Sequence, residues 1–160
     1  MVTRVPPIFT GHAITEPLSW PARALAGCFG FGALTLLALS AWLHPDPAGV
    51  GTHHQLGLKP CGLLLSTGMP CPTCGMTTSF ALFAHGRLLA SFLNQPMGFV
   101  TAIGACATVW IGLYLAVTGK PVGRLANRLP LRGLVLAAVG FLLAAWVWKI
   151  VSIKAGWNVT

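Results

Sequence analysis

Three stretches of the chain are nearly free of charge: Ala24 to Leu43, Gly98 to Val117 and Gly133 to Ile153, the last interrupted only by Lys149. Each is long enough to cross roughly 30 Å of hydrocarbon as a helix, which takes ~20 apolar residues. Trp20 and Trp42 bracket the first stretch as interfacial anchors and Pro45 stops it; Trp146, Trp148 and Trp157 give the third an aromatic belt. Small residues recur every four positions on the first two, at Ala22, Ala26 and Gly30 and at Gly104, Thr108 and Gly112. Such stripes let helices approach closely. Between these two stretches the pattern changes. Residues 44–74 are rich in proline and glycine and read as a loop carrying histidine and cysteine. Residues 75–93 are helical but mixed, with Met76, Phe80 and Phe83 on one face and Thr78, His85, Arg87 and Ser91 breaking the apolar run. The spacing therefore predicts one interfacial or re-entrant amphipathic helix there, ended by Pro96. Residues 1–21 read as a flexible tail, and Lys149 lies near enough to the end of its span to snorkel. The expected fold class is an all-α integral membrane protein, one membrane domain with spans at 24–43, 98–117 and 133–153 plus the amphipathic helix.

Composition points the same way. Of the 160 residues 55% are hydrophobic and 8% charged, against about 25% charged in a soluble domain, and the mean hydropathy is +0.76. The formal charge of +8 comes from ten Lys and Arg against two acids, Glu16 and Asp46. Most of the basic residues flank apolar stretches, where anionic headgroups explain them, so no nucleic-acid partner is expected. The lipid bilayer is the expected partner. Two acids give no carboxylate pair for hydrolysis, no acidic relay for proton-coupled transport and no oxygen cage for a hard cation. The start of the chain, polar and proline-bearing, does not read as a cleavable signal. Arg4, Arg23, Lys120, Arg124, Arg128 and Arg132 fall on one side of the three-span topology, and Lys59, Arg87, Lys149 and Lys154 on the other. The excess predicts the N-terminus inside and the cysteine loop outside.

What chemistry the chain has gathers between Cys61 and Thr78, in C-G-L-L-L-S-T-G-M-P-C-P-T-C-G-M-T-T. Pro72 suits the first turn of a helix, which would put Cys71 at the N-cap and Cys74 one turn later, where free N–H groups and the helix dipole favour a thiolate. A C-x-x-C pair admits three chemistries. A redox pair needs only Cys71 and Cys74, one as attacking thiolate and one to resolve the mixed disulfide. A zinc-like site needs four donors, which Cys61, Cys71, Cys74 and His53 or His54 supply. A structural role needs no more than thiols that fix the loop. A shared ion would bring all three sulfurs within roughly 4 Å of one another, whereas a redox pair leaves Cys61 free to lie anywhere. Thr77, Thr78 and Ser79 are expected to turn their hydroxyls back onto the preceding turn. Cys28 and Cys106, inside spans, read as small hydrophobes, and His12, His44 and His85 as surface or interfacial residues.

The run C-P-T-C-G-M-T-T, Cys71 to Thr78, resembles the signature C-P-x-C-G-[LM]-T-[RT] of the domain of unknown function 2752 family. In those small bacterial membrane proteins the signature lies between a first span and an amphipathic helix that leads through an N-P break into the next span. Here the break reads N-Q-P, Asn94 to Pro96, and the upstream G-V-G-T-H-H-Q-L-G-L-K-P-C is similar to a variant branch that brings His53 and Gln55 into the motif with Cys61. The resemblance runs from Val50 to Val117. It implies a membrane location, in the bacterial inner membrane, and brings no established activity. Thr78 stands where many members carry arginine, so no anion-binding role transfers to it.

The leading expectation is a membrane protein whose Cys61, Cys71, Cys74 and His53 hold zinc or another soft transition metal, or form a structural thiol site. One alternative is a thiol–disulfide oxidoreductase working through Cys71 and Cys74. Another is a non-catalytic accessory subunit whose small-residue stripes dock a larger membrane partner.

Overall fold

Helices form where the apolar stretches predict spans, the second and third running slightly beyond both expected ends and the first beginning four residues earlier and ending one residue sooner. The computed structural model describes residues 17–121 and 130–157; most of the expected tail, with His12, and the basic residues Arg124 and Arg128 lie outside the described residues. Six helices are described, with no strand among them: α1 (Trp20–Trp42), α2 (Gly62–Thr67), α3 (Met76–Ala84), α4 (Leu88–Asn94), α5 (Pro96–Thr118) and α6 (Leu131–Lys154). α1, α5 and α6 are long and apolar enough to cross a membrane, with mean hydropathies of 1.9, 1.9 and 2.2 over their best windows.

The first two spans form the scaffold, packed antiparallel. A Cβ on Gly112 would sit 2.7 Å from the Ala26 carbonyl oxygen and 2.9 Å from the Gly30 Cα, so the backbones meet where the two small-residue stripes cross. The stripes expected to dock an outside partner thus meet each other at Ala26, Gly30 and Gly112, though Gly104 remains open. At the far end Arg23 donates from Nε (3.0 Å) and Nη2 (2.8 Å) to the Ala116 carbonyl and from Nη2 to that of Val117 (3.0 Å). Those carbonyls belong to the last turn of α5 and have no acceptor role within it, so a cation there satisfies them and complements the helix dipole.

The segment expected to be one amphipathic helix over 75–93 is instead two. Gly86 adopts φ +75°, and the Arg87 N–H reaches back to the Leu82 carbonyl at 2.9 Å, which closes α3 with a Schellman-type turn. Thr78, Ser79, Phe80, Ala81 and Leu82 are buried, because α3 packs on both α1 and α5. Ser79 Oγ lies 2.9 Å from the Ser91 carbonyl and Ser91 Oγ 2.7 Å from the Ser79 carbonyl, a reciprocal clasp of α3 to α4. The hydroxyls expected to bond locally therefore bridge elements. Thr78 Oγ1 does the same, 2.8 Å from Thr52 Oγ1.

The expected loop over 44–74 is folded as well. A 3-10 turn (Thr52–Leu56) is flanked by glycines with φ +98° and +74°. Gln55 closes it by donating to the His44 carbonyl (2.6 Å) and accepting from the His44 N–H (3.1 Å). α6 attaches mainly by its second half: residues 131–140 are exposed, whereas Ala145, Lys149 and Ser152 are buried. Lys149 does not snorkel; only 3% of it is exposed.

Candidate metal centre

Two elements bring the cysteines together. Cys61 is the N-cap of α2. Cys71 and Cys74 sit in a tight turn closed by the Cys74 N–H to the Cys71 carbonyl at 3.0 Å. The three Sγ atoms all lie within 4.8 Å of one another, and all three thiols are free. They open onto a cavity of about 660 Å³, whose wall also includes His53, His54, Thr73 and Thr77. Cys61 thus lies beside the C-x-x-C pair rather than apart from it.

The local backbone differs from the expected helix start at Pro72. Gly75 takes φ +82° and is the N-cap of α3, so both cysteines precede the helix and are oriented by the turn. The ionisation pattern differs too. The Leu64 N–H, facing the Cys61 sulfur from the third position of α2, favours its thiolate, as do the other two thiols, and outweighs burial; the Cys61 pKa falls to about 7. No formal capping bond is made there, so the effect is that of an aligned N–H group near the sulfur. Cys74 goes the other way: burial, and then the neighbouring sulfurs, push it up to about 12. Of Cys61 and Cys74, the thiol whose ionisation is favoured is Cys61.

What holds the cysteine turn comes from the other side of the fold. Three of its carbonyls accept from buried or half-buried side chains: Pro70 from Trp146 Nε1 (2.8 Å), Pro72 from Gln95 Nε2 (2.9 Å) and Gly75 from Asn94 Nδ2 (3.0 Å). Asn94 and Gln95 are 1% and 0% exposed, so the N-Q-P break, read from sequence as a helix stop, is also the clamp of the site. Gln95 Oε1 has no donor among the described residues. Lys149 anchors the arrangement from α6, donating to the carbonyls of Gly49 (3.0 Å) and Asn94 (3.2 Å) and to Asn94 Oδ1 (2.8 Å). None of these roles was read from sequence. The available signal was a lysine and two amides inside or between apolar helices, where polar groups are retained only with partners.

His53 and His54 stack edge to face with centroids 4.5 Å apart. Neither belongs to the group whose ligand atoms all lie within 4.8 Å. His53 Nε2 is 3.2 Å from the Lys59 carbonyl; since a carbonyl only accepts, Nε2 carries the proton and Nδ1 is the nitrogen left to bind. Cys28 and Cys106 lie away from the three, on α1 and α5.

A family model described as a protein of unknown function (DUF2752) matches residues 61–110. The match spans just under a third of the chain and is to the family that the C-P-T-C-G-M-T-T run resembles. No curated protein and no solved structure matches the chain. The DUF2752 segment takes in all three cysteines, α2 to α4 and the first part of α5. It ends before Trp146 and Lys149 and begins after His53, so the groups that clamp and flank the thiols come partly from outside it.

Proposed function

We propose that this membrane protein binds a soft transition metal such as zinc, held by the thiolates of Cys61, Cys71 and Cys74 with His53 as fourth donor through Nδ1. The observation that carries the reading is the approach of three sulfurs from two segments, the α2 N-cap and the C-x-x-C turn, to within 4.8 Å. Sulfurs sharing a zinc at about 2.3 Å lie ~3.8 Å apart, so contraction by ~1 Å completes the set. The donors fit such an ion: soft thiolates and an imidazole, on a turn whose carbonyls are fixed from behind. A bound ion would stabilise the thiolate of Cys74, which burial disfavours.

A second reading rests on the Cys61 thiolate itself. With a pKa of about 7 and two thiols in reach, Cys61 suits attack in thiol–disulfide exchange, with Cys71 or Cys74 resolving. The two readings separate on purified protein. Metal analysis together with a free-thiol count should give one ion per chain, with Cys61→Ser abolishing it. A metal-free protein with one disulfide, exchangeable with a small dithiol, would favour the second reading. The charge distribution supports placing the protein in a bacterial cytoplasmic membrane with the cysteine face outward, where an accessory role beside a larger membrane partner would be served by the open flank of α6.

A further inference from the structure

We infer that Lys149 is the counter-charge of the thiolate site, and that its single charge selects a divalent ion with a neutral fourth donor. The inference rests on the metal reading above. Lys149 is 3% exposed on a helix apolar enough to cross a membrane. All three ammonium protons are committed to neutral oxygens, those of Gly49 and Asn94. Those bonds solvate the ammonium without cancelling its charge, and a buried cation without an anion is unfavourable.

The residue after Cys74 is next to it. A Cβ built on Gly75 would fall 2.8 Å from Lys149 Nζ and 2.7 Å from the Gly49 carbonyl oxygen. The ammonium therefore lies against the backbone of the residue that follows Cys74, so ionisation of Cys74 on metal binding would set a negative charge beside it. The glycine of C-P-T-C-G is needed twice, for its φ of +82° and to leave room for this lysine. Since every ammonium proton is already placed, Lys149 acts on the sulfurs through its charge and is not a ligand.

The charge count then constrains the ion. Three thiolates and a divalent ion sum to −1, which Lys149 brings to zero. A carboxylate or hydroxide in fourth place would leave a net negative charge in a low-dielectric site, and so would a monovalent ion on all three sulfurs. A neutral imidazole leaves none.

The test is titration of cobalt(II) into the purified full-length protein in detergent, followed by thiolate-to-cobalt charge-transfer absorption. Lys149→Gln should weaken cobalt binding by about ten- to a hundredfold, the scale of one charge at short range in a partly screened interior. Because that variant also removes three hydrogen bonds, a second pair isolates charge. Ser152 is buried one turn from Lys149, its Oγ 3.0 Å from the Lys149 carbonyl. Ser152→Asp and Ser152→Asn have nearly the same shape and differ in one negative charge. The aspartate variant should bind cobalt at least about tenfold more weakly than the asparagine variant, compared at a temperature where thermal unfolding shows both folded. Equal affinities for that pair would overturn the counter-charge role and make Lys149 a strut. Wild-type protein that takes up no cobalt would overturn the metal reading itself, and this inference with it.

Discussion

At the scale of single residues, the three sulfurs are chemically unequal although they share one cluster. Cys61 ionises near pH 7 because the Leu64 N–H faces it, and Cys74 stays protonated up to about pH 12 because it is buried. Alkylation by iodoacetamide should therefore mark Cys61 with a midpoint near pH 7 and spare Cys74 across the neutral range, which peptide mass mapping can read. Preferential labelling of Cys74 would contradict the assignment. Metal affinity carries the same asymmetry. Binding displaces a proton from Cys74 at any neutral pH, worth about tenfold per pH unit, and from Cys61 only as pH falls through 7. Between pH 8 and pH 6 these two groups alone should weaken zinc binding by about a thousandfold, measurable by competition with a chromophoric chelator. The cysteine positions were plain in the sequence, and so was the candidacy of Cys61 as a third member of the group. Which thiol would ionise was not, since it depends on a backbone N–H in α2 and on burial by distant segments.

At the scale of elements, the three spans were legible because length and absence of charge suffice to define them. The split of residues 75–93 was missed although H-G-R at 85–87 carries a helix-stop signal; the apolar period on either side of Gly86 masked it. What sequence could not give is which small residues meet. Gly112 abuts Ala26 and Gly30, whereas Gly104, in the same stripe, has nothing within 4 Å of an added Cβ. Gly112→Leu should force α1 and α5 apart and destabilise the protein by about 1–3 kcal/mol, the usual effect of overpacking, while Gly104→Leu should leave it unchanged. Thermal unfolding in detergent distinguishes the two. Equal midpoints for both variants would mean that the glycine contact does not hold the scaffold.

At the scale of the whole molecule, the cysteine face is assembled from groups remote in sequence. Lys149 reaches a carbonyl 100 positions away and Trp146 one 76 positions away, which is why neither role could be read from local pattern. Lys149 looked like a snorkelling residue because it lies near the end of its helix, but its acceptors are on the loop after α1 and at the end of α4. This inward turn changes the orientation argument. With Lys149 buried among its acceptors, the cysteine side retains Lys59, Arg87 and Lys154 as basic residues available to headgroups, against Arg4, Arg23, Lys120, Arg124, Arg128 and Arg132 on the other. A twofold excess of positive charge on the N-terminal side is what the positive-inside rule expects of a cytoplasmic face, and it supports the proposed orientation. Arg23 is partly occupied by the end of α5, and the excess survives without it. The cysteine cluster should then face away from the cytoplasm. In intact cells a membrane-impermeant maleimide should reach Cys61 without permeabilisation, and a Cys61→Ser variant should lose that labelling. If Cys61 reacts only after the membrane is opened, the orientation is reversed, and any ion the site holds is exchanged with the cytoplasm rather than with the outer side.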